Sequence, residues 1–280
     1  MDWQTSRFRI DLRSPKVMGI VNITPDSFSD GGHHADVRSA MAHCERLLQQ
    51  GADILDIGGE STRPGSPPVR LADELARVLP LVREAVKLHV PISVDTYKPE
   101  VMQAVLDLGA DIINDIWALR QPGAAAVVAA HPACGVCLMH MHRDPVTMQQ
   151  APMDGDVVQQ VLLFLERVAL DLKGLGVEKD RIVLDPGVCF GKTVPQNFAL
   201  LAKQTRFLEA GYPLLVGWSR KSSIGAVTDL PVDQRMAPSV AAALLAVERG
   251  AHIVRVHDVQ ETVAALKVWR AVETATVATN

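Results

Sequence analysis

No stretch of this chain approaches the roughly 18 uninterrupted apolar residues that a membrane-crossing helix needs, so none is expected. The first fifteen residues hold no apolar run resembling a signal sequence, and a cytoplasmic protein is the expectation. An excess of charge of one sign is also missing, because 28 Lys and Arg against 32 Asp and Glu leave a net charge of −4. Scattered, nearly balanced charge gives no electrostatic footprint for nucleic acid or for an anionic membrane. Any anion must therefore be gripped locally by a few placed groups. Cysteine is scarce as well, with four in 280 residues, too few for a disulfide framework. Cys134 and Cys137 form a C-x-x-C, but they lie in or beside the apolar run 135–140, where Cys137 reads as a buried strand residue. Redox or zinc chemistry is not expected there.

What is present is ample apolar material. Hydrophobic residues make up 48 %, and 280 residues suit one large α/β barrel, which typically takes ~250. No linker, charge block or low-complexity segment divides the chain, so residues 1–280 read as one domain, with a lead-in over 1–15 and a tail over 272–280. A module recurs: Gly51-Ala52-Asp53-Ile54, Gly109-Ala110-Asp111-Ile112 and Gly250-Ala251-His252-Ile253 each follow a helical pattern and open a short apolar run. Glycine just past a helix end is the expected C-cap.

Eight runs read as parallel strands buried on both faces: 17–21, 54–57, 92–94, 112–113, 136–139, 182–184, 214–216 and 253–256. Between them lie helical stripes, one through Val37, Ala40, Met41, Cys44, Leu47 and Leu48, and another through Val158, Val161, Leu162, Leu165, Val168 and Leu172. Pro99 suits a first helical turn, and Asp258 with Glu261 suits a capping box. Eight strand–helix units predict an α/β fold, a closed (β/α)8 TIM barrel. An open doubly wound sheet would call for a glycine fingerprint after the first strand, and Asn22-Ile23-Thr24-Pro25 is not one.

In such barrels the chemistry sits past the strands' C-terminal ends. Each apolar run here ends in polar groups: Asn22, Glu60-Ser61-Thr62-Arg63, Asp95, Asn114-Asp115, His140, Asp185, Ser219-Arg220-Lys221, and Arg255 with His257. A single polar residue there would be a turn former or helix cap. All eight ends carrying one points to a site. Arg255 and His257 share a strand face, with Val254 and Val256 on the other, and the cations predict a locally positive mouth that holds an anion. His140 and His142 suggest a binuclear metal site, but the other strand ends offer no further histidine ligands beyond His257, so none is expected. The loops after the first two strands are long, and Phe28 in a polar loop suggests a lid.

These segments resemble the dihydropteroate synthase family. They read MGIVNITPDSFSDGG at 18–32, DIGGESTRPG at 56–65, SVDT at 93–96, IND at 113–115, DPG at 185–187, FGK at 190–192, GWSRK at 217–221 and RVHD at 255–258. The resemblance implies condensation of 6-hydroxymethyl-7,8-dihydropterin pyrophosphate with 4-aminobenzoate, releasing pyrophosphate. It implies a homodimer and no nucleic-acid or membrane partner. The pterin would be held by Asp95, Asn114, Asp185, Lys221 and Arg255, and the pyrophosphate by Asn22, Thr62, Arg63, Arg255 and His257. Mg2+ would be held through Asn22. The 4-aminobenzoate would lie among Phe28, Thr62, Pro64, Phe190, Lys221 and Ser222, and the catalytic groups would be Arg63, Asp95, Lys221, Arg255 and His257. A corrinoid-linked pterin methyltransferase is the rival reading. It would share the pterin carboxylate and amide without needing Arg63, Arg255 and His257. The chain departs from the family pattern at Val188-Cys189, where a glycine is usual, which restricts the backbone there.

Overall fold

A computed structural model describes residues 1–23, 33–61 and 65–278. The chain opens with an antiparallel pair, β1 (Asp2–Gln4) and β2 (Arg9–Asp11). Eight parallel strands follow: β3 (Lys16–Asn22), β4 (Ile54–Gly58), β5 (Ile92–Asp95), β6 (Ile112–Asp115), β7 (Gly135–Met139), β8 (Ile182–Asp185), β9 (Leu215–Val216) and β10 (Ile253–Val256). Each lies next to its sequence neighbour, β10 returns to β3, and a bridge between Leu184 and Leu214 joins β8 to β9. The sheet is thus closed, as the eight apolar runs predict.

Helices α1 (His33–Gln49), α2 (Leu71–Ala85), α3 (Pro99–Asp107), α4 (Ala124–Ala130), α5 (Val157–Gly174), α6 (Val194–Ala202), α7 (Ser222–Thr228), α8 (Met236–Glu248) and α9 (Val259–Ala278) run between the strands and after the last. Their starts follow local chemistry. Pro99 occupies the first turn of α3, Asp156 caps α5 through the N–H groups of Val158 and Gln159, and Thr193 with Gln196 closes a capping box on α6. Gly51, Gly109 and Gly250 do adopt the left-handed conformation after their helices. The apolar stripe of α5 is buried along its length. No helix among the described residues is long and apolar enough to cross a membrane.

Three details go beyond the sequence reading. The lead-in forms the β1–β2 hairpin: Trp3 is fully buried beneath the barrel, and its Nε1 donates to Arg181 O at 3.0 Å. Trp3, Ile10 and Leu12 close the bottom against Met18, Ile54, Ile112, Cys137, Val183, Leu215 and Ile253. The tail is helical as far as Ala278. Asp258 does not use its carboxylate as a cap but pairs with the Arg220 guanidinium. Cys137 is a buried strand residue in the barrel floor, as its apolar run implies.

Because Trp3 plugs the floor, truncating it leaves a cavity under the strands. Trp3→Ala is expected to cost roughly 3–5 kcal/mol in denaturant unfolding. A loss below ~1 kcal/mol would show that the hairpin is only appended to the barrel.

Candidate active site

Strand alternation sets the site in layers. In β10, Ile253 faces the apolar floor, Arg255 sits one layer higher on the same face, and Val254 and Val256 pack outward against the helices. Arg255 Nε donates to Asp56 Oδ2 at 2.6 Å, and Nη2 donates to Asp95 Oδ2 at 2.9 Å. Asp56 is fully buried and takes two more bonds, from Ser93 Oγ at 2.6 Å and Asn114 Nδ2 at 3.2 Å. Burial alone would lower the guanidinium's pKa, but the two carboxylates raise it above its ordinary value. Burial pushes Asp95 up to about 7 against the pull of Arg255.

Asp185 ends β8, and its Oδ1 accepts the Gly187 N–H at 2.7 Å. Burial lifts its carboxyl to about 6, while that N–H and the cations Lys221, Lys192 and Arg255 pull it down. Lys221 precedes α7 and holds its ammonium 4.4 Å from the centre of the Phe190 ring. Burial lowers its pKa. Phe190 is itself packed against Ile116, Met139, Met141 and Met148, which make an apolar wall beside Asp185. His257 shares a hydrogen bond of 2.9 Å between its Nδ1 and Ser219 Oγ, and its backbone N–H donates to the same oxygen.

Asn22 ends β3 opposite Gly58 in register. A Cβ on Gly58 would lie 3.7 Å from Asn22 Oδ1 and 3.9 Å from Asp95 Oδ2, so the missing side chain leaves both oxygens beside one small space. The set suits a hard cation such as Mg2+, which takes one or two protein oxygens and draws the rest from water and phosphate. Among the described residues no cluster of three His, Cys, Asp or Glu side chains could cage a metal.

The structure therefore gathers Asp95, Asn114, Asp185, Lys221, Phe190, Arg255 and His257 around the C-terminal mouth, with Asn22 at its edge. Ser222 is exposed in the first turn of α7. Phe28, Thr62, Arg63 and Pro64 lie outside the described residues. Of the cations expected at the mouth, Arg220 is paired with Asp258 and Arg255 is flanked by two carboxylates, while Lys221 stands over the Phe190 ring. His140 is buried and stays neutral, its pKa pushed down to about 2 by burial and by Lys192.

Two residues escaped the sequence reading. Asp56 shares the inward face with Ile54, and a carboxylate inside an apolar run was the available signal. Lys192 is buried beneath the loop after β8, and only its place in the FGK segment marked it. A cavity of about 240 Å³ opens among Glu60, Ser61, Tyr97, Trp117 and Pro145, lined by the start of the polar stretch that follows β4.

Comparison with known proteins bears on the family and the fold. The family model described as pterin binding enzyme matches residues 18–257. The chain is 50 % identical over 273 residues to the dihydropteroate synthase of Neisseria meningitidis serogroup C, covering 96 % of both chains. It is similar to the structure of Burkholderia cenocepacia dihydropteroate synthase complexed with 7,8-dihydropteroate. That likeness has a TM-score of 0.89 and 50 % identity, over 98 % of this chain and 97 % of the other. It also resembles the Yersinia pestis dihydropteroate synthase with a sulfonamide drug complex, with a TM-score of 0.92 and 42 % identity, over 98 % of this chain and 100 % of the other. The chain belongs to the dihydropteroate synthase family of pterin-binding enzymes.

Proposed function

We propose that this chain is a transferase of folate biosynthesis, joining 6-hydroxymethyl-7,8-dihydropterin pyrophosphate to 4-aminobenzoate to give 7,8-dihydropteroate and pyrophosphate. The observation that carries the reading is the cluster of Asp185, Asn114, Asp95 and Lys221 around one apolar wall at the barrel mouth. The Burkholderia relative, with 7,8-dihydropteroate bound, supports it. A cytoplasmic homodimer belongs to the same proposal and rests on the family resemblance.

A pterin edge presents an amino group beside a ring N–H. The Asp185 carboxylate takes that pair bidentately. Asn114 both donates and accepts, suiting the mixed ring edge, and Asp95 takes a further N–H. Lys221 donates to the ring carbonyl or N5, while Met139 and Phe190 supply apolar contact. Arg255, held edge-on by Asp56 and Asp95, lays its guanidinium face on the ring and turns toward the pyrophosphate. His257, Asn22, Thr62 and Arg63 complete the anion grip, and Asn22 would hold Mg2+, which when bound would offset charge on the leaving group.

The 4-aminobenzoate lies among Phe28, Thr62, Pro64, Phe190, Lys221 and Ser222. Its amine is neutral and already nucleophilic, so little base assistance is needed. The amine lone pair forms the new C–N bond at the pterin methylene as the C–O bond breaks. The bonding pair leaves with pyrophosphate, and the amine proton passes to water. Asp95 and Asp185 stabilise positive charge on the ring while the cations hold the leaving oxygens.

The direct test is pyrophosphate release by the purified protein, which is expected to require both the pterin pyrophosphate and 4-aminobenzoate. Release without the amine would mean a hydrolase. Asp185→Asn replaces an ionic bidentate acceptor by an amide and is expected to cost roughly 2–3 kcal/mol of pterin affinity in calorimetry. Unchanged affinity would remove Asp185 from the pterin site. Ionised Asp185 is the binding form, so affinity should hold above a pH of about 6 and fall as the pH drops through it. The stability sign is opposite. A carboxyl raised from 3.8 to about 6 costs the folded state stability as pH rises through that window, so Asp185→Asn should gain thermal stability at pH 8 relative to pH 4. Equal effects at both values would contradict the burial of this charge.

A further inference from the structure

Beneath the loop that follows Asp185 lies a buried cation that the chemistry above leaves unused. Lys192 is 2 % exposed. Its Nζ donates to Gly187 O at 2.8 Å, to Phe190 O at 3.1 Å and to His140 Nδ1 at 2.9 Å, and His140 O lies 3.4 Å away. An ammonium has three N–H donors, and all three are used on acceptors from two loops, one after β7 and one after β8. With Nδ1 accepting, the neutral His140 imidazole carries its proton on Nε2. The two loops also touch through their backbones. A Cβ on Gly187, whose φ is +68°, would fall 1.8 Å from His140 O, and the His140 N–H donates to Asp185 O at 2.9 Å.

The contacts of this loop reach the site on both sides. Gly187, whose carbonyl Lys192 holds, turns its N–H onto Asp185 Oδ1. Phe190, whose carbonyl Lys192 also holds, sets its ring against Lys221. We propose that Lys192 is a positioning residue for pterin recognition: it clamps the 187–190 loop onto His140 so that Gly187 aims Asp185, and its charge holds Asp185 ionised. The proposal rests on the reading that Asp185 receives the pterin.

Among the described residues, the charges around this pair are few. Asp185 is faced by Lys221 before α7, by Arg255 of β10, by the Cys137 thiol of β7 and by Lys192. Lys192 is faced by His140 and His142 after β7, by Cys189 in its own loop, by Lys221 and by Asp185. Burial lowers Lys192 to about 7, with Asp185 as the first opposing influence. Lys192 is thus held charged largely by the carboxylate that it helps to ionise.

The test is calorimetric binding of 6-hydroxymethylpterin from pH 5.5 to 8.5 to the wild type, Lys192→Met, Lys192→Gln and Asp185→Asn. Lys192→Met is expected to lose about tenfold in affinity at pH 7, and the midpoint of the acid-side loss should move up by about half a pH unit or more. Lys192→Gln restores donors without charge, so it should recover affinity at pH 8.5 while keeping the shifted midpoint. A loss that is uniform across pH would overturn the electrostatic role, and no loss would overturn the role altogether. Wild-type affinity with an unchanged acid-side loss in Asp185→Asn would instead overturn pterin recognition by Asp185, and this proposal with it. Should the lysine variants fail to fold, nitrogen-15 histidine spectra of the wild type still decide the geometry. His140 should be neutral with its proton on Nε2 throughout, and a proton on Nδ1 would exclude the Lys192 bond.

Discussion

The arrangement hangs on one guanidinium. Arg255 lies inside a barrel whose floor is hydrocarbon, and only the two carboxylates flanking it make that position tenable. Taking three charges out of water is costly, and the attraction between them compensates only when the geometry is good and the remaining lone pairs are filled. Both conditions are met. Asp56 gives one oxygen to Ser93 and the other to Arg255 and Asn114, and the strand register places Asp56 opposite Ser93, and Asp95 opposite Asn114. The pairing of β4 with β5 and of β5 with β6 thus fixes the polar layer as firmly as it fixes the apolar one. Two of the three guanidinium nitrogens are committed, so Arg255 meets a ligand with a fixed orientation and an exposed remainder, its side chain being 21 % exposed.

The loop after β8 shows how a departure from the family pattern is accommodated. Cys189 stands where a glycine is usual and adopts a φ of +67°, a conformation costing about 1–2 kcal/mol for a residue with a Cβ. Its N–H donates to Asn197 Oδ1 at 2.7 Å, its carbonyl accepts from Gln149 Nε2 at 2.6 Å, and its thiol sits 3.2 Å from Ser223 Oγ. Three partners outside the loop hold the strained residue, and Lys192 holds the loop from below. The left-handed conformation of Cys189 persists because its neighbours over-determine it.

Much of this was legible from residues alone, for identifiable reasons. Strands buried on both faces read as uninterrupted β-branched and leucine runs, and parallel pairing puts their polar ends at one mouth, so Asn114, Asp185, Arg255 and His257 could be found by position. The N-terminal hairpin could not. Its strands are three residues long and mixed in polarity, and Trp3 is held by tertiary contacts with strands far along the chain. Asp56 was hidden because one inward carboxylate does not break an apolar run, and its partner Arg255 is 199 residues away. Lys192 was hidden because two of its three nearest partners are main-chain oxygens, which leave no trace in a sequence. Where charges were visible their pairing was not, as Arg220 with Asp258 demonstrates.

This arrangement requires Asp56 to act on ligand binding through the orientation of Arg255. A double-mutant cycle with Asp56→Asn and Arg255→Lys, read as affinity for the pterin pyrophosphate, tests it most directly. Residues acting through one contact are non-additive, so a coupling of about 1 kcal/mol or more is expected, with the double variant little worse than Arg255→Lys alone. Losses that add to within about 0.3–0.5 kcal/mol would contradict it.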